Sequence, residues 1–339
     1  MPQDRSQDQV LHGEEAIIAL LAPLAEGYAG AFGLKDDCAL LSPPPGTELV
    51  LKTDPIAEGV HFLATDPPED IAWKALAMNA SDLAAKGAAP LGYLMALSFP
   101  QAPRADWMQR FAHGLHTAQT ALGCHLMGGD TDRRPGPLTI SITLIGTVPE
   151  GRMVLRGTAL PGSKLFVSGT IGDAALGLAL LREPTQAAAW GLTPPEADAL
   201  IRRYRRPEPR LALAPALRQC ACAAMDISDG LVKDLDRMLR ASGVAGRFRA
   251  DAVPLSAPAR RVVAQVPEWF QRLITAGDDF EVLAAVPPAR AAGFVGMAAA
   301  AGVAVTEIGA LQAGSPALTI EGPDGDTLPL PARTGWDHF

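Results

Sequence analysis

The sequence predicts a two-domain α/β protein, and three observations support this class. The chain has 339 residues, 48% of them hydrophobic, which is enough for about two domains with full cores. Strand-like runs alternate with helical segments along the chain. Residues 146–162 are rich in glycine and proline, as linkers often are. We therefore expect an N-terminal domain at residues 1–150 and a C-terminal domain at residues 151–339.

The first half of the chain predicts helices and short strands in alternation. The segment 138–145 is the clearest strand, because Thr and Ser alternate with Leu and Ile at the period of two that a half-buried strand shows. The other predicted elements, in order, are a helix over 14–24, a short strand ahead of Asp36 and Asp37, strands over 49–54 and 91–97, a helix over 105–122 and a strand over 123–131.

Residues 70–87 predict the helix around which this first domain is organised. Pro68 precedes it, Asp70 suits the positive end of the helix dipole, Gly87 suits a left-handed C-terminal cap and Pro90 prevents continuation. Between these signals nearly every side chain is small or apolar, which is typical of a helix packed on more than one side.

Two polar residues interrupt this helix. Asn79 and Asp82 lie three apart and so share one helix face. A buried carboxylate needs a paired charge or a metal ion. Two interpretations therefore stay open for Asp82: an ion pair with Lys86, four residues later, or a metal ligand.

The second half of the chain predicts strands that end at glycines and acids. Residues 164–177 read as a strand, a glycine turn and a helix, and the turn is either a phosphate cradle or an ordinary tight connection. Asp226, Ser228 and Asp229 crowd a predicted helix N-terminus, and residues 273–283 again combine glycine, two acids and a strand. The arginine-rich segment 202–210 is interpreted as a solvated flank of a helix.

Composition excludes some classes of function. The net charge of −8 and the pI of about 5.3 do not suit general binding to nucleic acid or to an anionic membrane. The polar N-terminus has no signal peptide pattern and no apolar run is long enough to span a bilayer, so we expect a cytoplasmic protein. The four cysteines lack the spacing of a disulfide framework or a zinc site, and we expect Cys220 and Cys222 to be buried filler.

The acids of the first half predict a cation site. Three predicted strand ends place Asp36 or Asp37, Asp54 and Asp130, and the long helix places Asp82. Two carboxylates 4 Å apart repel by about 4 kcal/mol at an effective dielectric constant of about 20. Divalent cations relieve this repulsion, and an all-oxygen ligand set favours Mg²⁺, which commonly shares its coordination with substrate phosphates. The sequence thus predicts magnesium-dependent phosphate chemistry, most simply phosphoryl transfer from ATP.

No general base accompanies these acids. The sequence lacks a Ser-His-Asp order, a nucleophile elbow and a kinase catalytic loop, and its six histidines are scattered. A phosphate monoester has a second pKa near 6 and is already ionised at neutral pH, so it is an acceptor that needs no base.

Eight short motifs resemble the thiamine-monophosphate kinase family, in order and over nearly the whole chain. They are KDDCALL at 35–41, TD at 53–54, GVHF at 59–62, NASDLAAKGA at 79–88, GGDT at 128–131, MDISDGL at 225–231, GDDFE at 277–281 and GWDHF at 335–339. Each motif alone is weak, whereas the ordered set is specific. The resemblance implies transfer of the ATP γ-phosphoryl group to thiamine monophosphate.

The resemblance also implies a fold of the aminoimidazole ribonucleotide synthetase-like superfamily. An N-terminal mixed sheet would form a barrel across a homodimer, and a C-terminal sheet flanked by helices would complete the nucleotide and substrate site. The implied ATP contacts are Gly129, Asp130, Arg156 and Ser228, and the implied substrate contacts are His61, Asp278 and Trp336. The implied magnesium ligand positions are Asp37, Lys52, Thr53, Asp54, Asp82, Asp130, Asp226 and Asp229.

Three positions depart from the family pattern. Lys35 stands where Gly is usual, Lys52 where Ser is usual and Asp278 where Glu is usual. A metal ligand at position 52 survives the change only if it is the backbone carbonyl. Two rival interpretations remain. A sister enzyme of the superfamily would want a reactive cysteine near a glycine-rich N-terminus or at the C-terminus, whereas this chain ends in Trp-Asp-His-Phe. A non-catalytic thiamine-phosphate-binding scaffold would keep the fold without turnover.

Overall fold

The computed structural model describes residues 10–337, which divide into two compact units. Unit 1 contains residues 10–83 and 89–151, and unit 2 contains residues 84–88 and 152–337. Each unit has its own sheet flanked by helices, as the predicted α/β class requires. The polar start of the chain and the final His338 and Phe339 lie outside the described residues.

Unit 1 is built on a four-stranded mixed sheet in the order β1-β4-β2-β3. Strands β2 and β3 run parallel, and the other neighbours are antiparallel. Short 3₁₀ helices cover Ala22–Ala25 and Ala29–Leu34. The regular elements are α1 (Glu14–Leu21), β1 (Thr47–Ala57), α2 (Pro68–Ala85), β2 (Ala89–Phe99), α3 (Ala105–Leu122), β3 (His125–Arg133) and β4 (Thr139–Pro149).

The two faces of this sheet differ in polarity and in burial. On β4, Ile140, Ile142 and Leu144 are fully buried while the intervening Thr and Ser are half-buried, which confirms the predicted alternation. The buried face meets α2, since a side chain at Gly146 would collide with Leu83. The opposite face is open, and Leu51 on it is 66% exposed.

The predicted bounds of α3 agree with the structure, those of α2 are displaced by two residues at each end, and the helix predicted over 14–24 ends as an α-helix at Leu21. Helix α3 spans the predicted residues 105–122, and α2 begins at Pro68 and ends at Ala85. The glycines that follow both helices, Gly87 and Gly123, have φ of +70°, the left-handed conformation that lets the chain leave a helix.

The prediction that the acids lie at strand ends is wrong in detail. Asp36 and Asp37 follow a 3₁₀ helix in a loop, and no strand precedes them in the described residues. Asp54 and Asp130 each lie three residues before the last residue of their strand. The reason is pairing: β4 continues to bond β1 as far as Ala57, and β2 continues to bond β3 as far as Arg133.

Unit 2 has a seven-stranded sheet in the order β11-β10-β7-β9-β5-β8-β6. Its strands are β5 (Lys164–Ser168), β6 (Ala223–Ile227), β7 (Ala245–Arg249), β8 (Glu281–Val286), β9 (Val305–Gln312), β10 (Leu318–Glu321) and β11 (Thr327–Leu328). Its helices are α4 (Asp173–Arg182), α5 (Gln186–Ala189), α6 (Pro194–Arg205), α7 (Ala214–Cys220), α8 (Leu231–Ser242), α9 (Ala257–Gln265), α10 (Glu268–Thr275) and α11 (Pro288–Ala300).

The sheet of unit 2 is buried on both faces. Along β8, Leu283 and Ala285 belong to one core cluster, and Val282, Ala284 and Val286 belong to another. Successive strand residues alternate in direction, so the two clusters occupy opposite sides of the sheet. This burial explains why the strand reads as a continuous apolar run.

The arginine-rich segment is not simply solvated, which corrects the interpretation made from sequence. Arg203 and Arg210 have side chains only 16% and 19% exposed, and both bind the carboxylate of Glu281, which is fully buried. The sequence showed the positive run but not its partner, which lies more than 70 residues away.

The expectation that Cys220 and Cys222 are buried filler holds for Cys220 only. Cys220 is buried and Cys222 is half-buried. Among residues 10–337, no helix is both long and apolar enough to cross a membrane.

Candidate functional site

A cavity lies on the open face of the unit 1 sheet. Its volume is about 730 Å³, and its wall includes Asp36, Asp37 and Asp130. Asp130 is level with Ala96 of β2, and the Asp130 carboxylate accepts a hydrogen bond of 2.9 Å from the Thr131 amide. The remaining wall mixes hydroxyl groups with apolar side chains, including Thr131, Ser141, Thr143, Leu94 and Ile145.

Only glycine fits at position 129, beside this cavity, because β2 and β3 lie close together there. It pairs with Met95, and a Cβ atom built on Gly129 would lie 1.9 Å from the Met95 carbonyl oxygen. Any side chain would therefore push β3 away from β2. The glycine of the GGDT motif thus fixes the position of Asp130, the next residue.

Three other predicted residues meet on the covered face of the same sheet. Lys52 pairs with the buried Leu144, and Asp54 pairs with the buried Ile142, so both lie on the side covered by α2. The Lys52 Nζ atom lies 3.0 Å from Asp54 Oδ2 and 2.9 Å from Asp82 Oδ2. One ammonium group thus bridges two carboxylates that the resemblance assigns to metal binding.

This bridge settles which cation pairs with Asp82 in the structure. Lys86, the alternative partner, instead donates a hydrogen bond of 2.7 Å to the Ala224 carbonyl within unit 2. Burial lowers the pKa of the Lys52 ammonium, but the carboxylates of Asp82 and Asp54 outweigh burial and raise that pKa above its ordinary value. Lys52 is therefore charged throughout the physiological pH range.

The structure does not bring all the predicted unit 1 ligands to one point. Thr53 and Asp54 are adjacent in β1, so their side chains point to opposite faces of the sheet. The Thr53 hydroxyl lies on the open face, 3.0 Å from the hydroxyl oxygen of Thr143. The acids consequently form two groups, one around the cavity and one around Lys52.

Three distant segments converge in unit 2 through backbone hydrogen bonds. The amide of Asp278 donates to the Ser228 carbonyl, and the amide of Trp336 donates to the Asp229 carbonyl, both at 2.9 Å. The amide of Phe280 donates to the Ile227 carbonyl at 2.8 Å. Four residues predicted to bind ATP, metal or substrate therefore lie side by side although they span more than 100 positions of the sequence.

Side chains at this junction are held by charge. The Asp229 carboxylate lies 2.6 Å from Arg237 and 3.6 Å from Lys233, while Asp226 is buried in β6. The Trp336 ring is 41% exposed, and the Arg333 guanidinium lies 5.4 Å from its centre. The junction therefore presents an aromatic face beside several carboxylates.

Asp278 has an unusual backbone conformation, with φ of +71°. This left-handed region is unfavourable for most side chains, but Asp and Asn adopt it several-fold more often. The conformation offers a physical reason for Asp at this position.

Sequence reasoning missed Asp234, which positions the loop of the MDISDGL motif. Its fully buried carboxylate accepts hydrogen bonds from the amides of Ser228 and Asp229, at 3.0 and 2.9 Å. Burial raises the pKa of Asp234 to about 6. The signal was available, because Asp234 lies between Leu231 and Met238 on the apolar face of α8, just as Asp82 interrupts an apolar helix.

We expect Asp234→Ala to lower the free energy of unfolding by about 1–3 kcal/mol, because two backbone amides lose their acceptor. Asp234→Asn keeps an acceptor oxygen and should lose less. Chemical denaturation of both variants measures the difference. Equal stability of Asp234→Ala and wild type would show that these two hydrogen bonds do not hold the loop.

The glycine turn after β5 behaves as an ordinary tight connection. Its Gly172 amide donates to the buried Asp279 carboxylate at 2.7 Å, so this amide is already bonded within the protein. A side chain at Gly169 would collide with Glu281. These contacts favour the connection over the phosphate cradle.

The two remaining predicted residues lie in loops. The His61 Nδ1 atom accepts a hydrogen bond of 3.1 Å from the Ala57 amide, so the neutral ring carries its proton on Nε2. Arg156 is exposed, and its carbonyl oxygen accepts a hydrogen bond from Ser242 within unit 2.

The residues that line the cavity suit Mg²⁺, whereas those between Asp54 and Asp82 do not. Carboxylates and hydroxyls line the cavity, and oxygen donors of this kind suit a hard cation. Between Asp54 and Asp82, however, the Lys52 ammonium stands where a shared cation would bind. No group of three or more His, Cys, Asp or Glu side chains within residues 10–337 is arranged to hold a metal by itself.

The chain matches known proteins over most of its length. Residues 35–148 match the N-terminal domain, and residues 161–320 the C-terminal domain, of the AIR synthase related protein family. A thiamine-monophosphate kinase of Caulobacter vibrioides is 41% identical over 326 residues, covering 95% of this chain and 89% of the relative.

Solved structures agree with this similarity. The thiamine-monophosphate kinase of Stenotrophomonas maltophilia K279a superimposes with a TM-score of 0.81 at 33% identity, covering 94% of this chain and 99% of that one. A structure of AaThiL complexed with AMPPCP and TMP gives a TM-score of 0.75 at 31% identity, covering 96% of this chain and 97% of that one.

Proposed function

Because the chain belongs to the thiamine-monophosphate kinase family, we propose that it transfers the γ-phosphoryl group of ATP to thiamine monophosphate, giving thiamine diphosphate and ADP. The observation that carries this proposal is the junction of Ser228, Asp229, Asp278 and Trp336 in unit 2, which joins three family motifs. The similar AaThiL structure contains AMPPCP, an ATP analogue, together with TMP. This reaction is the function that both the geometry and the family support best.

The acceptor needs no deprotonation by the protein. The phosphate of thiamine monophosphate has a second pKa near 6 and is largely dianionic at neutral pH. The chain therefore has to position two anionic substrates rather than remove a proton. His61 suits such a task, because its Nε2 proton can be donated to a phosphate oxygen.

In unit 1 we assign magnesium binding to Asp37, Thr53, Asp54, Asp82 and Asp130, with position 52 contributing at most its backbone carbonyl. Asp54 and Asp82 would contribute only the carboxylate oxygens that the Lys52 ammonium does not contact. When bound, Mg²⁺ neutralises phosphate charge during transfer. The cavity that Asp37 and Asp130 line supports this assignment for those two acids. Gly129 and Asp130 also contact ATP in this proposal, because both line the cavity.

In unit 2 we assign magnesium binding to Asp226 and Asp229, and ATP contacts to Arg156 and Ser228. Ser228 is held by the Asp234 carboxylate, which fixes the loop that presents it. Arg156 is exposed, and a guanidinium is well suited to phosphate oxygens. In this proposal residues 1–150 form the metal-binding, ATP-binding and dimerisation domain, and residues 151–339 complete the nucleotide and substrate site.

Thiamine carries a cationic ring, and the unit 2 junction suits it. The half-exposed Trp336 ring offers an aromatic face, and the Asp278 carboxylate offers the opposite charge.

Because the reaction consumes ATP, we propose that the protein works in the cytoplasm.

We expect Asp278→Ala to raise KM for thiamine monophosphate by about tenfold, equivalent to about 1.4 kcal/mol, with KM for ATP nearly unchanged. Asp278→Glu keeps the charge and should change that KM several-fold at most. Steady-state kinetics with each substrate varied in turn measure both effects. An Ala variant with unaltered KM for thiamine monophosphate would remove Asp278 from the substrate site.

We also propose that two chains join through the open face of the unit 1 sheet and form a barrel. This face carries Leu49, Leu51 and Leu94, whose exposed fractions are 40%, 66% and 40%. The register places Leu51 beside Ile145, and Leu94 beside Thr143, on one surface. Exposed apolar surface of this kind commonly marks an interaction site.

If two chains join in this way, a charged residue on the open face should prevent dimer formation. We expect the wild type to sediment as a dimer at micromolar concentration and Leu51→Glu to sediment as a monomer, because a carboxylate would be buried without a partner. Val295→Glu, at an exposed position of α11 in unit 2, is the matched control and should remain dimeric. A monomeric wild type would contradict the proposed barrel.

A panel of acceptors tests the proposed reaction. Purified protein is incubated with ATP, Mg²⁺ and either thiamine monophosphate or free thiamine, and the products are separated by chromatography. We expect thiamine diphosphate from the monophosphate and no product from thiamine. Product from thiamine alone would overturn the acceptor assignment, and the absence of any product would favour a binding protein without turnover.

A further inference from the structure

The fold itself brings Lys52 between Asp54 and Asp82. Lys52 and Asp54 are two apart in β1 and so lie on the same face, which α2 covers. Asp82 comes from α2, and its Oδ2 atom lies 2.9 Å from the Lys52 Nζ atom. The three side chains are between 26% and 35% exposed, so all of them are half-buried.

The charges explain what this lysine does. Two carboxylates that converge on one point repel each other and need a cation between them. The ammonium supplies one positive charge at hydrogen-bond distance from both. A divalent cation at the same point would have to displace the ammonium, because like charges in contact repel strongly where water is partly excluded.

We infer that the Lys52 ammonium permanently takes the place of one divalent cation between Asp54 and Asp82. A protein with a neutral residue at position 52 would bind one more divalent cation there. The inference deepens the proposed function, on which it rests for the relevance of the cations. Metal binding can nevertheless be measured without turnover, so failure of the inference and failure of the proposed reaction are separate results.

The experiment counts bound Mn²⁺ by electron paramagnetic resonance in the absence of nucleotide, with Mn²⁺ as a probe that carboxylates bind as they bind Mg²⁺. The proteins are wild type, Lys52→Ser, Lys52→Gln and Lys52→Arg. Lys164→Ser is the matched control, because it removes the same charge from an exposed pair with Glu307 in unit 2. The double variant Lys52→Ser/Asp82→Asn tests where an added ion binds.

The expected result is one additional Mn²⁺ per chain in Lys52→Ser and Lys52→Gln, and the wild-type number in Lys52→Arg and Lys164→Ser. The additional ion should disappear in the double variant. The neutral variants should also melt below wild type in metal-free buffer and gain more from added Mg²⁺, because two carboxylates then face each other without a cation. A wild-type Mn²⁺ count in both neutral variants would overturn the inference.

Discussion

Asp82→Asn is expected to lower turnover by at least about 100-fold, equivalent to about 2.7 kcal/mol of transition-state stabilisation. In the proposed reaction the Asp82 carboxylate contributes negative charge for cation binding in unit 1, and an amide keeps its shape without its charge. The effect should appear in kcat, because cations that neutralise phosphate charge matter most during transfer.

The same substitution should leave the fold almost unchanged. The asparagine carbonyl can still accept a hydrogen bond from Lys52, and the Lys52 to Asp54 contact of 3.0 Å remains. We therefore expect the free energy of unfolding in metal-free buffer to stay within about 1 kcal/mol of wild type. Asp106→Asn is the control, because Asp106 is an acid of α3 in the same unit that pairs with the exposed Arg104 and whose side chain is 37% exposed. A variant that unfolds more easily but retains turnover would make Asp82 a structural ion-pair residue only.

Glu281→Ala is expected to destabilise unit 2 by about 3–5 kcal/mol, because it removes the counter-charge that two largely buried guanidinium groups share. Arg210 then keeps Glu208, at 3.4 Å, whose side chain is 61% exposed. The Glu281 carboxylate accepts hydrogen bonds from Arg203 at 2.9 Å, from Arg210 at 2.7 Å and from the Ser168 hydroxyl at 2.6 Å. Burial disfavours the charge on Arg210, but Glu281 outweighs burial and raises the Arg210 pKa above its ordinary value.

An exposed ion pair in the same unit, Glu307 with Lys164, is the control that distinguishes the effect of burial from the effect of charge. Glu307 binds Lys164 at 2.8 Å, but its side chain is 45% exposed, so Glu307→Ala should cost no more than about 1 kcal/mol. Urea unfolding followed by tryptophan fluorescence measures both variants. A loss below about 1 kcal/mol for Glu281→Ala would show that water reaches the two arginines and that the network contributes little.

The sequence predicted those elements whose signals are local. Helix α3 lies between Arg104 and a left-handed Gly123, and its predicted bounds agree with the structure. The alternation along β4 likewise requires only neighbouring residues. The end of β1 was missed because its length depends on pairing with β4, which local sequence does not contain.

The candidate site was predictable to the extent that family motifs carry it. The resemblance selected Ser228, Asp278 and Trp336, and the structure places their backbones together. The partners of charged groups were not predictable in this way. Lys52 and Asp82 are 30 positions apart, and no local pattern indicates that their side chains meet.

The fate of the ATP γ-phosphate tests the central claim most directly. ATP labelled with ³²P at the γ position is incubated with thiamine monophosphate, Mg²⁺ and the purified protein, and the thiamine diphosphate formed is isolated and degraded stepwise. We predict that all the label in the product lies in its terminal phosphate and that one ADP forms for each product molecule. Label found only in inorganic phosphate, or thiamine diphosphate without label, would contradict direct transfer.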